Sequence, residues 1–446
     1  MFSLAMRSIR QRPGRFVATL LSAFLGAAII MTFNSMHDTA AGSGVDSVSS
    51  DTLTTSAAVV GGYGSLLVFF AVASTLTVNV RQRYDEITLL RNTGATPAQI
   101  KRMVVGEAAV VGLVASLLAV GPAMLGGRAL LSVFQDSGQV ASGVEYAFGP
   151  IALMSGIYIT LLASVGAAFL AVRRATKAAA GERAPRTRLR GFFAYAALVA
   201  GAAAVSATFA IDATEPALMA APAYGAILLS VGFALLSPRL LRGVLGALER
   251  PLEAVAGASG YLTVHNMRQR AAQLSGVLMP LVLFTGMATA TLYMQAIEND
   301  AIKASGVAKS VDDKNLETLN LVVVGIIVVF ACVMLINSLY AATSYRGKEF
   351  GQQRLAGATP AQVLGMVGVE GLVLTVTGVF FGTLSGLAGI VAFSSVRVDE
   401  ALPSGQGLGI WLAVVSVAAA ATMATSLGTA RRTVRTPAVE AVALAA

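Results

Sequence analysis

Residues 94–99 read Gly-Ala-Thr-Pro-Ala-Gln, and residues 357–362 read Gly-Ala-Thr-Pro-Ala-Gln again, at an offset of 263. The same offset carries Arg83 onto Arg346, Glu86 onto Glu349, Arg91 onto Arg354 and Glu107 onto Glu370. Further out, an offset of 258 carries Arg10-Gln11-Arg12 onto Arg268-Gln269-Arg270, and Arg173-Arg174 onto Arg431-Arg432. Matches at several corresponding places mark an internal duplication. The fold is therefore expected to be built twice.

What is duplicated follows from composition. The chain has 446 residues, 56% hydrophobic and 12% charged, with a mean hydropathy of +0.73 and a formal charge of +9. A soluble domain carries about 25% charged residues. This composition excludes a soluble globular enzyme, a disordered chain and a disulfide scaffold. One cysteine, Cys332, and two histidines, His37 and His265, leave no thiol or imidazole metal centre to build. Ten stretches are long and apolar enough to cross a bilayer, near 17–36, 58–80, 108–127, 150–172, 192–211, 217–237, 274–296, 318–342, 371–392 and 408–428. The sequence predicts an all-α polytopic membrane protein.

Charge sets its orientation. With the N-terminus in the cytoplasm, 27 Lys and Arg fall inside and 5 outside, whereas 9 acidic residues fall inside and 14 outside. Ten spans then return Arg431, Arg432 and Arg435 to the cytoplasm, in keeping with the positive-inside rule. The basic excess records topology, and nucleic acid is not expected as a partner. Residues 1–36 have a basic-then-apolar pattern like a signal peptide. Their apolar run is long enough to span and the segment has a later copy, so they are expected to stay. The domain reading is a first four-helix repeat over 1–180, a linker with two spans over 181–258, and a second four-helix repeat over 259–446. An even number of spans between the copies makes them a parallel pair, related by a pseudo-two-fold axis along the membrane normal.

The repeated hexamer falls on the cytoplasmic side, after the second and eighth spans. Its local reading is a short helix, a turn and a second helix. Gly94 and Gly357 suit a helix stop. Thr96 and Thr359 suit N-caps, with Pro97 and Pro360 at the first helical position and Gln99 and Gln362 placed to close a capping box. Two such knobs suit a two-fold symmetric cytoplasmic partner, for which an ATPase dimer is the natural candidate. Within the spans, Gly378, Gly382 and Gly386 read as a close helix contact, and Asn79 and Asn337 as interhelical hydrogen-bonding groups.

These residues resemble the FtsX-like, or MacB-type, permeases of ABC transporters. The family pattern runs Arg, two residues, Glu, then Leu-Arg, Gly-Ala-Thr and a Glu at the next helix. Here it reads Arg83…Glu86…Leu90-Arg91…Gly94-Ala95-Thr96…Glu107 and Arg346…Glu349…Arg354…Gly357-Ala358-Thr359…Glu370, with Gln353 where the first copy has Leu90. The segments around Met6–Phe16 and Val264–Leu274 resemble the family's interfacial helix, and Arg431–Val442 its C-terminal ending. The resemblance implies that 83–99 and 346–362 hold coupling helices that dock on separate ABC ATPase subunits, a homodimer per permease chain. It also places Glu107 and Glu370 at the cytoplasmic membrane boundary, where a carboxylate needs a partner such as a loop arginine.

No G-x-x-x-x-G-K-[ST] loop is present, so ATP and Mg are expected on the partner chain and no cofactor on this one. No Ser/His/Asp set, H-E-x-x-H motif or series of charges within the spans supports a hydrolase, a protease or an ion-coupled carrier. The function expected is an ATP-driven permease subunit in the cell membrane that exports or extracts an amphiphile such as a lipid, lipopeptide or drug. The alternative is an ATPase-driven signalling scaffold. A large extracytoplasmic domain, frequent in the family, is missing: loops 37–57 and 297–317 are short and acidic, which fits a bacterium with a single membrane.

Overall fold

The computed structural model describes residues 17–58, 84–179, 186–213, 218–306, 346–402 and 405–443, together with 314, 318, 325, 332, 335, 336, 339 and 343. Ten labelled α-helices carry the described chain: α1 (Val17–Ala40), α2 (Tyr84–Asn92), α3 (Pro97–Asp136), α4 (Pro150–Ala179), α5 (Arg186–Ala207), α6 (Ala220–Ser305), α7 (Gly347–Leu355), α8 (Pro360–Arg397), α9 (Gly409–Val434) and α10 (Ala438–Ala443). The protein is an all-α polytopic membrane protein. Eight stretches among the described residues are long and apolar enough to cross a bilayer, and each matches one of the ten expected spans. The other two, 58–80 and 318–342, lie outside the described residues or fall almost wholly so.

Two helices are much longer than a span requires. α3 has 40 residues and α8 has 38, or about 60 Å at 1.5 Å per residue against a hydrocarbon core of about 30 Å. Hydrophobicity alone places the third span at 108–127, but the capped start at Thr96 and Pro97 begins a helix that nothing interrupts before the membrane. The ninth span is built alike from Thr359 and Pro360.

α6 is one helical run of 86 residues, but it is not a straight rod. A straight helix would separate Ser237 and Ser275 by about 57 Å, yet the Ser237 hydroxyl lies 3.5 Å from the Ser275 carbonyl. Arg268 also pairs with Glu249 at 2.7 Å. The run therefore reverses between Glu249 and Arg268. Its first arm (Ala220–Pro251) and second arm (Leu274–Ser305) are antiparallel spans.

The described residues fall into two compact units, 17–179 with 314, 318, 325 and 332, and 186–306 with 335–443. In the first, α1, α3 and α4 pack together. The Thr32 hydroxyl donates to the Ala123 carbonyl at 3.3 Å. Asp38, near the C-terminal end of α1, accepts from the backbone N–H groups of Ile151 and Ala152 at 3.2 and 2.8 Å. It thereby caps a helix start that would otherwise leave donors unpaired.

In the second unit, α8 packs parallel to the second arm of α6. Gly378, Gly382 and Gly386 meet Leu281, Thr285 and Thr289 in turn, a constant offset of 97. The glycine series is thus a helix contact, as its spacing suggests. The contact also repeats across the duplication: Thr32 and Ala123 correspond to Ala290 and Gly386, and a Cβ on Gly386 would lie 3.4 Å from the Ala290 nitrogen. α5 lies antiparallel on the first arm of α6, where Cβ atoms on Gly201 and Gly225 would come within 2.8 and 2.9 Å of the Leu229 and Val205 nitrogens. The two linking spans therefore pack within the second unit.

The end of this unit where α8 finishes is held by Arg397. Its guanidinium forms a fork on the Glu298 carboxylate, both bonds 2.8 Å, and donates to the Ala213 carbonyl at 2.8 Å. Replacing Arg397 by Met removes three charge-assisted bonds from partly buried groups, a cost on the order of 1–3 kcal/mol. The expected result is a lower thermal midpoint for the detergent-solubilised chain, and an unchanged midpoint would show that the fork contributes nothing.

Candidate functional site

The two loops that contain the repeated hexamer are built bond for bond alike. α2 and α7 are nine residues each. Gly94 follows α2 with φ 95°, and Gly357 follows α7 with φ 102°. The Gly94 N–H donates to the Arg91 carbonyl at 3.0 Å and the Ala95 N–H to Leu90 at 2.9 Å. In the second loop Gly357 donates to Arg354 at 3.1 Å and Ala358 to Gln353 at 2.9 Å. This paired closure needs a left-handed residue, which glycine supplies without a Cβ penalty.

Each turn leads directly into a capping box. The Thr96 hydroxyl accepts from the Gln99 N–H at 3.3 Å, and the Gln99 side chain accepts from the Thr96 N–H at 2.9 Å. Thr359 and Gln362 do the same at 3.3 and 2.8 Å. Pro97 and Pro360 occupy the first helical turn, where a missing N–H costs nothing.

The candidate residues then divide by the direction they face. Gly94, Thr96, Pro97 and Gln99 are exposed, as are Gly357, Thr359, Pro360 and Gln362. Each tip also carries an apolar side chain in the open, Leu89 at 65% exposure and Leu355 at 57%. Arg346 and Glu370 lie on the opposite side, 8% and 7% exposed. Arg346 forms a fork on Glu370, with one bond of 3.0 Å, and a second fork on Glu349 at 3.1 and 3.0 Å. The loop arginine expected as the partner of Glu370 is thus Arg346. In the first loop Glu86 lies on α2, Arg91 is half-buried at its end, Glu107 is buried on α3, and Arg83 lies outside the described residues.

Three contacts go beyond what the sequence was read to say. Arg270 pairs with Glu349 from the segment that leads into the second arm of α6. Arg354 donates to the Val434 and Thr436 carbonyls, at 2.9 and 2.7 Å, one at the last residue of α9 and one just past it. The Arg346 guanidinium lies 4.9 Å from the Phe350 ring centroid. The duplicated Arg-Gln-Arg triplet was the signal for Arg270, although nothing in it names Glu349. Burial opposes charge on Glu349 and on Arg346. On Glu349 the two arginines outweigh it and hold the carboxyl below the usual carboxylate range, and on Arg346 the carboxylates outweigh it and raise the guanidinium pKa.

The cluster's carboxylates are held by arginines, and no group of His, Cys, Asp and Glu among the described residues could hold a metal ion. What it can do is mechanical: it presents an exposed, capped tip and ties the base of that tip to membrane helices. The family model described as FtsX-like permease C-terminal matches residues 58–180 and again 321–438, more than half of the chain. The two matches are offset by 263 at their starts and 258 at their ends, the same offsets that relate the repeated motifs. Comparison with curated proteins returns no match.

Proposed function

The chain belongs to the FtsX-like permease family, and from that premise we propose that it is an exporter of amphiphiles whose two capped loops receive an ATPase pair. The family makes it the membrane subunit of an ABC transporter, working with ATPase chains rather than hydrolysing ATP itself. The finer reading is MacB-type: one permease chain with two copies of one ATPase, ATP and Mg held by those copies, and two four-helix repeats joined by the linking spans. The termini lie in the cytoplasm of a bacterial cell, and lipids surround the spans.

One observation carries the coupling role. α3 and α8 each begin in a capped loop and run without a break into a membrane span. A continuous helix delivers a displacement at its tip directly to the bilayer, and in α3 the interior Pro122 lies 25 residues, or about 38 Å, beyond Pro97. Closure of an ATPase pair beneath both tips then moves two spans at once. The apolar tip residues Leu89 and Leu355 suit burial in grooves on the ATPase surface, where a single exposed leucine gives about 2 kcal/mol.

An amphiphile is the proposed cargo because the spans are almost wholly apolar, so a molecule dissolved in the bilayer reaches them without leaving the lipid. Reconstitution tests this reading. The full chain, co-expressed with its ABC ATPase and placed in phosphatidylethanolamine–phosphatidylglycerol liposomes, should move a headgroup-labelled phospholipid or a hydrophobic dye only with ATP. Should neither probe move while ATP turnover proceeds, the exporter reading fails.

A further inference from the structure

α7 has nine residues, too few to hold a helix in water without help. Its position is therefore set by what it touches. Phe350, 1% exposed, packs into a small core with Val363 and Val367 of α8 and Ala430 and Val434 of α9. Around that core run the charged links. Arg346, at the start of α7, holds Glu370 of α8 and Glu349 of α7. Glu349 also receives Arg270, which precedes the second arm of α6. At the other end Arg354 grips the two carbonyls at and just past the end of α9. One short helix is thus tied to three membrane-spanning elements.

Hydrophobic packing alone would hold α7 at least as stably, since burying ions costs desolvation that their attraction barely repays. What the forks add is fixed geometry: a two-pronged arginine–carboxylate bond resists rotation and sliding, which an apolar contact permits. Beside the Arg346–Glu370 pair lies a void of about 30 Å³, bounded by Arg270, Thr343, Gly371 and Ser426. That is room for a water molecule, so the pair is not jammed in place by its neighbours. The same charges recur in the first half of the sequence as Arg83, Glu86, Arg91 and Glu107 at offset 263, and Arg12 at 258.

We infer that Arg346, Glu349, Glu370, Arg270 and Arg354 form a force-transmitting joint at the base of the second loop, and are not contacts with the ATPase. They are positioning residues that make α7, α8, the approach to α6 and the end of α9 move together when the tip is displaced. The inference rests on the coupling role proposed above and divides the candidate residues into two sets. The exposed tip binds the partner, and the linked charges at its base pass its motion to the spans.

The test uses the full chain with its co-expressed ATPase in the same liposomes, scoring three quantities: ATPase retained on the chain, ATP turnover, and ATP-driven movement of the labelled phospholipid. The double variant Arg346→Gln/Glu370→Gln removes both charges and strands neither. It should retain the ATPase and turn over ATP at close to the wild-type rate, while phospholipid movement falls about tenfold, within the usual range of coupling between sites. Arg346→Lys, which keeps the charge without the fork, should lie between. Arg354→Gln strands no charge and gives an independent route to the same loss should the double variant not fold. Phospholipid movement at the wild-type level in these variants overturns the joint. So does a parallel loss of bound ATPase, which would make the residues docking contacts. A wild-type chain that binds no ATPase overturns the coupling role itself.

Discussion

Leucine at position 382 is expected to separate α8 from the second arm of α6 and leave no stable second unit. A Cβ added at Gly382 would lie 2.6 Å from the Thr285 Cβ, 2.9 Å from the Val282 carbonyl oxygen and 3.0 Å from the Gly286 nitrogen. Two of those three obstacles are backbone, which cannot rotate out of the way. The neighbouring contacts are also close, at 2.6 Å from a Cβ at Gly378 to the Leu281 Cβ and, less tightly, 3.1 Å from one at Gly386 to the Gly286 carbonyl. Widening the pair at one position therefore opens it at all three. Overpacking costs about 1–3 kcal/mol where side chains can adjust, and a backbone obstacle places this site at or above the upper end. In a bilayer that loss is not offset by hydrophobic burial, because lipid solvates the separated apolar surfaces as well as the partner helix did. Gly365 is the control on the same helix, since a Cβ there meets nothing within 4 Å. Gly365→Leu should leave the thermal midpoint and expression near wild type, whereas Gly382→Leu should lower both sharply. Equal behaviour of the two variants would mean that the glycine series does not hold the unit together.

How far the fold was legible in the sequence depended on the range of the interaction. The loop caps were legible in full, because a helix stop and a capping box are written within six residues: Gly94 to Gln99, and Gly357 to Gln362. The buried Glu370 was half legible. A carboxylate at that depth requires a partner, and a loop arginine was expected, but its identity as Arg346, the sharing of Arg346 with Glu349 and that of Glu349 with Arg270 depend on three segments meeting. Arg397 and Glu298 were not legible as a pair. They are 99 residues apart, and their equivalents in the first repeat are Phe134 and Ala40, so the duplication gave no second instance. The lengths of α3 and α8 were missed for a different reason. Apolarity locates the part of a helix inside the membrane, and says nothing about a polar extension that local capping keeps helical. The reversal within α6 was legible, since the expected spans 217–237 and 274–296 must run in opposite directions; what was hidden is that their connection stays helical, because Pro238 and Pro251 mark neither end of the helical run.

The double variant Gly94→Val/Gly357→Val is expected to leave the membrane helices folded and to abolish coupling. Both glycines have positive φ, at 95° and 102°, where a residue with a Cβ is strained by about 1–2 kcal/mol and a β-branched one by more. Neither site is crowded, for an added Cβ meets nothing within 4 Å at either position. The whole cost therefore falls on the turn, which must abandon its left-handed residue and with it the paired closure from Ala95 to Leu90 and from Ala358 to Gln353. α2 and α7 then lose their fixed angle to α3 and α8, while α3 and α8 keep their own capping boxes and their packing in the membrane. Strain of this size at an exposed turn shifts the thermal midpoint of so large a chain only slightly, whereas a docking surface displaced by a few ångströms fails to bind. The measurement is a pair of readings on one preparation, the thermal midpoint of the full chain and the ATPase it retains. A near-normal midpoint with most of the ATPase lost is the expected pattern, and either single variant should retain an intermediate amount through the intact loop. A double variant that folds, retains the ATPase and moves phospholipid as the wild type does would remove both loops from the coupling path, however alike they are built.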